Sequence, residues 1–486
     1  MLTLVIKGSF ETACKLIQQA PLHAEAFEIR LDLICDLNFE KLSFLRNLTE
    51  KKVIFTLRTK DQGGEFIGSF QDYKNKIFSF LSLQPDYIDI EMGTPQQIIN
   101  AIKLHSPLTK VILSSHHFKP ISSIAKGFRS LRKYKADIYK LASTGGPVEA
   151  LEMFAVTKKL VNKNICAVGI IMGQEGSLSR ILSKVAGNYF TFCSDNPHLG
   201  QLSIEMLIDV YHVQKTSLQT KVYGLIGNPV TASPSHMTHN MLLRQYRLDA
   251  IYVKIPLEDK DLVPFLKKAL KVFEGFSITA PYKEKVVPLV KKMTAAAQKI
   301  GAINTLKKIK GGWLGENTDR LGAIKSLETL VNLHGKRCLI VGAGGVSKAI
   351  YYELVKAKAH VTILNRSKQK QDFFSLCDFF CFDEIDKLSK DIFDVIIQAT
   401  SCELYRAKLP QTIDLFFQNQ PLVFETIIEP RLTCFLKQAI IKKCNILEGY
   451  HMFLNQAVFQ FKFWFNHLDE HELLKNLTKN YLVLDL

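Results

Sequence analysis

Lys140 and His116 are the residues whose types and setting most directly suggest chemistry. Lys140 lies in the β-branched, apolar run DIYKLA, and His116 ends the preceding such run, KVILSSH. An amine withdrawn from water among apolar side chains has a lowered pKa and becomes nucleophilic toward a carbonyl. A solvated lysine at a loop mouth is the plain alternative for Lys140 taken alone. A histidine one run earlier, and Arg30 and Arg58 in two other runs, favour the reactive amine. A second feature is VGAGGVSKA (341–349), a glycine-rich turn between an apolar run and a helical pattern. There Gly342, Ala343, Gly344 and Gly345 would bring backbone N–H groups to a pyrophosphate at a helix N-terminus. The next run, HVTILNRSK, ends in Asn365, Arg366 and Ser367, with Lys368 and Lys370 following. NAD-binding turns place an acidic residue there for the ribose 2′-hydroxyl. Neutral and basic groups favour a 2′-phosphate, so the expected cofactor is NADP.

These residues need elements that bring them together. Over residues 1–214, eight short β-branched runs alternate with helical stretches: 2–6, 27–33, 53–58, 87–92, 110–116, 137–142, 165–172 and 189–193. This rhythm predicts a parallel (βα)8 TIM barrel, closed by a helix over 200–213. Arg30, Arg58, His116 and Lys140 would converge at the carboxyl ends of its strands. A polar linker, 215–221, leads to a second α/β unit opening on the strand 222–227. Residues 222–332 with 448–486 form one expected domain of that unit, and 333–447 a Rossmann NADP-binding domain. FQFKFWFN (459–466) reads as a core helix.

Composition narrows the class. The chain has 486 residues, 47% hydrophobic and 22% charged, enough apolar material for more than one core. The N-terminal run turns polar too soon for a signal peptide, and no uncharged stretch approaches the roughly 18 residues of a membrane span. Ten scattered cysteines suit free thiols in a reducing, cytoplasmic setting, and no ligand spacing predicts a metal. The net charge of +17 is spread over nearly every expected helix, which favours attraction of anionic small molecules over nucleic-acid binding. Oligomeric state is not legible.

Residues 1–214 resemble type I 3-dehydroquinate dehydratase. The resemblance rests on EIRLD (Glu28, Arg30, Asp32), Arg58 before a Gly-Gly loop, SSHHF with His116, ADIYK with Lys140, and MGQEGSLSR with Met172 and Arg180. It implies that Lys140 forms an imine with a ring ketone while His116 removes a proton and helps expel hydroxyl as water. Arg180 would clamp the substrate carboxylate, and Glu28, Arg30, Arg58, Met172 and Gln201 would surround the ring. His117 is expected to face away, because strand alternation opposes neighbouring side chains. Two positions depart from the family. Gln62 replaces a glutamate that supports the histidine, which predicts a slower dehydratase with a lower His116 pKa. Pro197 replaces a substrate-binding serine.

Residues 220–465 resemble the shikimate dehydrogenase family through GNPVTASPSH, SITAPYK, GAINTL and GENTD. The resemblance implies that Ser233 and Ser235 bind a carboxylate and that Thr279, Asn304 and Gln456 contact ring hydroxyls. It makes Lys283 and Asp319 the catalytic pair, an ammonium held by a carboxylate to protonate the ketone as hydride arrives. Thr400, in QATS, would lie near the nicotinamide. Ala232, His236, Gln398 and Ile428 depart from the family; at 428 a tyrosine hydroxyl is lost, which predicts weaker substrate affinity.

Together these features predict a bifunctional enzyme of the shikimate pathway that dehydrates 3-dehydroquinate and then reduces 3-dehydroshikimate to shikimate. Two rival readings are a catalytically silent barrel serving as a scaffold and a reductase that also accepts quinate.

Overall fold

The computed structural model describes residues 1–195, 201–231, 233–388, 391–400 and 416–484. Pro197 and Ala232 lie outside the described residues. By backbone contacts the chain groups into two compact units, Met1–Val222 with Asp249–Val272, and Tyr223–Leu248 with Phe273–Leu486.

In the first unit eight strands form one sheet: β1 (Leu2–Gly8), β2 (Ala26–Ile34), β3 (Lys52–Thr56), β4 (Tyr87–Glu91), β5 (Lys110–His117), β6 (Ile138–Thr144), β7 (Ala167–Met172) and β8 (Thr191–Cys193). Their spatial order is β7-β6-β5-β4-β3-β2-β1-β8, and the neighbours are parallel. Strands buried on both faces read as continuous Val/Ile runs, as Val53, Ile54 and Phe55 do, each at 0% exposure. The gap between β7 and β8 is crossed just before β8. There the Tyr189 N–H donates to Ala167 O at 3.0 Å and the Gly169 N–H to Asn188 Oδ1 at 2.7 Å. The strand expected over 189–193 is therefore shorter. Tyr189 and Phe190 pack instead as an aromatic cluster with Tyr87, the Tyr87–Phe190 centroids lying 5.0 Å apart. Of the regular helix expected over 200–213, the described residues show a short helical start at 204–205 that runs into a π-helical turn, Met206–Val210, with left-handed His212 (φ 49°) two residues on. Arg58 likewise lies beyond the end of its strand.

In the second unit β9 (Lys221–Gly227), β11 (Phe273–Ile278), β13 (Thr305–Ile309), β14 (Gly312–Glu316) and β12 (Lys292–Met293) lie side by side in that order. A second sheet is fully parallel: β17 (Asp378–Cys381), β16 (His360–Asn365), β15 (Arg337–Val341), β18 (Val395–Gln398), β19 (Leu422–Glu425) and β20 (Ile446–Leu447). β10 (Ala250–Pro256) groups by contacts with the first unit. The strand order reverses between β15 and β18, which is where open α/β sheets bind ligands. The helix Gly449–Trp464 packs along Asp319–Glu328, its Met452 and Gln456 lying against Gly322, while its other end buries Trp464 against Tyr223 and Leu306. Among the described residues no helix is long and apolar enough to cross a membrane.

Candidate active sites

The carboxyl ends of the barrel strands enclose a cavity of about 230 Å³. Glu28, Arg30, Arg58 and His116 line it, as do Lys140, Met172, Arg180 and Gln201, so the expected barrel residues share one chamber. β5 sends His116 into this chamber, whereas His117 turns aside, its Nε2 lying 3.0 Å from Ser115 Oγ.

Lys140 is nearly inaccessible, but its surroundings differ from the apolar setting its sequence neighbours suggest. Its Nζ lies 3.0 Å from Glu28 Oε1 and 3.1 Å from Asp89 Oδ2, over the face of Phe192 at 4.0 Å from the centroid. Asp89 is a residue that the sequence reading missed. It also takes Arg58 at 2.9 Å and the Ser114 hydroxyl at 2.6 Å, so one buried carboxylate joins two cations. Burial pushes the Asp89 carboxyl upward, but Arg58, Lys140 and the hydrogen bonds outweigh it and hold it below the ordinary range.

His116 is pushed well below the usual histidine value, first by burial and then by Arg58, Lys140, Arg30 and His117. Among the described residues its Nδ1 is buried without a hydrogen-bond partner. Gln62 Oε1 accepts the backbone N–H of His116 at 2.8 Å. Arg180 donates Nη1 to Ile171 O at 2.9 Å; burial lowers it to about 10, still protonated at neutral pH.

A larger cavity of about 650 Å³ lies in the second unit. Lys283 Nζ lies 2.7 Å from Asp319 Oδ2, and Asn304 Nδ2 donates to Asp319 Oδ1 at 2.8 Å. Ser233 and Ser235 meet at the rim, hydroxyl to hydroxyl, at 2.9 Å. Thr279 and Gln456 complete the expected substrate set, and Ile428 faces the same space.

Gly344, Gly345, Lys370 and Thr400, expected to hold the cofactor, line the same cavity. Gly342 (φ 114°) underlies the turn, where a Cβ would stand 2.8 Å from Thr400 Cγ2, so only glycine fits. The helix Gly345–Lys356 starts directly after the turn, aiming its N-terminal amides at the cleft. Asn365 donates to Ser367 O at 2.8 Å and shapes the following turn; Arg366 is exposed. Neither these two nor Gly342, Ala343 and Ser367 line the cavity itself. Glu284, next to Lys283, binds Lys348 at 2.9 Å and Lys370 at 2.8 Å. Burial raises the Glu284 carboxyl, but these two lysines bring it below its usual value.

The sequence matches three families in turn: type I 3-dehydroquinase over residues 3–217, the shikimate dehydrogenase substrate-binding domain over 225–306, and shikimate/quinate 5-dehydrogenase over 324–431. A chloroplastic bifunctional 3-dehydroquinate dehydratase/shikimate dehydrogenase of Arabidopsis thaliana is 30% identical, the match covering 91% of this chain and 77% of that one. This chain belongs to that bifunctional family. A shikimate biosynthesis protein AroDE of Chlamydia pneumoniae is 29% identical over 99% of both chains. An NADP-dependent shikimate dehydrogenase of Pyrococcus abyssi is 34% identical, aligned with 53% of this chain and 97% of its own length. Dehydratase and shikimate dehydrogenase regions are thus joined in one polypeptide.

Proposed function

We propose that Lys140 and His116 dehydrate 3-dehydroquinate and that Lys283 and Asp319 serve the reduction of the product to shikimate with NADPH. The single observation that carries the first assignment is Lys140 Nζ in contact with two carboxylates inside the chamber that His116 lines. Glu28 and Asp89 are placed to take the proton the ammonium must shed before its nitrogen attacks the ketone carbon. Water leaves as the imine forms, and the adjacent carbon becomes acidic. His116, neutral because of its depressed pKa, removes a proton there and returns it to the departing hydroxyl, which leaves as water. Water then hydrolyses the imine and frees Lys140. Arg180 supplies the buried cation for the substrate carboxylate. Borohydride added with substrate should trap a covalent adduct on Lys140. An adduct-free protein would favour the silent-scaffold alternative, which the shared chamber does not support.

For the reductase, Gly344, Gly345 and the helix behind them would hold the pyrophosphate of NADP, with Lys370 toward the 2′-phosphate. The bound nucleotide supplies a hydride. Lys283 donates the proton that the ketone oxygen needs, and Asp319 keeps the ammonium aimed. Ser233 and Ser235 offer hydroxyls to the ring carboxylate, while Thr279, Asn304 and Gln456 face the ring hydroxyls. Comparing turnover of shikimate and quinate with NADP and NAD tests substrate and cofactor together. A cytoplasmic setting, and small molecules rather than nucleic acid or membrane as partners, belong to the same proposal.

A further inference from the structure

A buried hydrogen-bond chain leads from the Lys283–Asp319 pair to Gln460, in the middle of the helix Gly449–Trp464. Its polarity is dictated by two groups whose roles are fixed. The Asp319 carboxylate, paired with Lys283, accepts, so the Asn304 atom 2.8 Å from its Oδ1 is the amide nitrogen. The Thr318 backbone N–H donates, so the Asn304 atom 2.7 Å from it is the carbonyl oxygen. With that oxygen in place, Thr305 Oγ1 at 3.0 Å donates to it. The Thr305 oxygen then accepts from its next neighbour, Gln460 Nε2, at 2.8 Å. Gln460 Oε1 is left facing the Ser277 hydroxyl at 2.7 Å and His239 Nε2 at 3.2 Å, both as donors. His239 is fully buried and pushed down to about 4, so it stands neutral with its proton on Nε2.

We infer that Gln460 is a positioning residue for the reduction: it orders the Thr305 hydroxyl toward Asn304 and thereby holds the Asn304 amide against Asp319. Gln460 is 1% exposed and Thr305 0%; Gln460 borders the substrate cavity, whereas Thr305 does not line it, so a Thr305 hydroxyl that loses its partner is poorly placed to find another. The same amide grips Ser277 on β11, two positions before Thr279, and thus ties the substrate strand to this helix. The inference rests on the assignment of Lys283 and Asp319 as the reacting pair.

The test uses the full chain, whose dehydratase activity reports that each variant is folded in its first unit; thermal unfolding of the second unit is followed alongside. Gln460→Met keeps the volume and removes both polar atoms, and Thr305→Val is isosteric without the hydroxyl. Each should lower kcat for the reduction about tenfold, the scale of one buried hydrogen bond, with a smaller change in KM. The double variant should be no slower than either single, because both cut the same chain. Thr305→Ser should stay near wild type. Gln460→Glu adds a diagnostic: the neutral acid can donate to Thr305 and the carboxylate cannot, so kcat should fall through an extra ionisation as pH rises. The inference is overturned if Gln460→Met retains kcat within about twofold, or if the Gln460→Met and Thr305→Val losses multiply. Lys283→Met separates the two levels. Full reduction by that variant overturns the reacting pair itself, whereas its loss beside an unaffected Gln460→Met overturns only the role of Gln460.

Discussion

Gln62 Oε1 accepts the backbone N–H of His116 at 2.8 Å, so the amide steadies the strand end and brings no charge to the imidazole. Gln62→Glu should raise the His116 pKa, because a carboxylate near an imidazolium stabilises it. The acid limb of the dehydratase pH–rate profile should move to higher pH and the rate at neutral pH should rise. An unaltered profile would refute this.

Asp89 is the centre of the buried charge cluster. Asp89→Asn leaves Lys140 and Arg58 without their shared counter-charge and should cost about 3–5 kcal/mol, together with most dehydratase activity. The folded-state pKa of Asp89 is depressed, so its contribution is present above the unfolded carboxylate value and lost as pH falls through the folded one. Acid unfolding of wild type and variant, followed by circular dichroism, checks both statements; superimposable curves would contradict them.

Glu284 competes for the lysine assigned to the cofactor phosphate. Glu284→Gln should free Lys370 and lower the KM for NADPH by about two- to fivefold, the worth of a half-exposed ion pair. Lys370→Ala should raise the KM for NADPH more than that for NADH. Equal effects on both nucleotides would remove Lys370 from the 2′-phosphate site.

Ile428 lines the reductase cavity where the family places a tyrosine. Ile428→Tyr restores a hydroxyl and should lower the KM for 3-dehydroshikimate roughly fivefold, the worth of one net hydrogen bond. Steady-state kinetics on the purified chain decides it; a KM that is unchanged or raised would count against the assignment.

The barrel site was legible because polar residues interrupt four apolar runs, a pattern that survives in one dimension, although only His116 sits near the end of its strand: Arg30 and Lys140 lie within theirs and Arg58 just beyond. Asp89 was not, since YIDIEM reads as ordinary alternation and its charge faces partners from three other segments. Glu284 was hidden beside Lys283 for the same reason: its partners, Lys348 and Lys370, are distant in sequence. Gln460 lies within an aromatic-rich helix that reads as pure core, although a buried amide there demands partners. The shortened eighth strand and the π-helical turn at Met206–Val210 reflect aromatic packing and local backbone geometry that periodicity does not encode.

Gly345 abuts Lys283 so closely that a methyl group on it would stand 3.3 Å from the lysine Cβ. The turn assigned to the nucleotide therefore sets a bare glycine directly against the side-chain stem of the proposed proton donor. A flexible spacer would let the gap between the assigned hydride and proton sources drift; a contact this bare would act as a gauge block and set their separation whichever ring hydroxyls the pocket accepts.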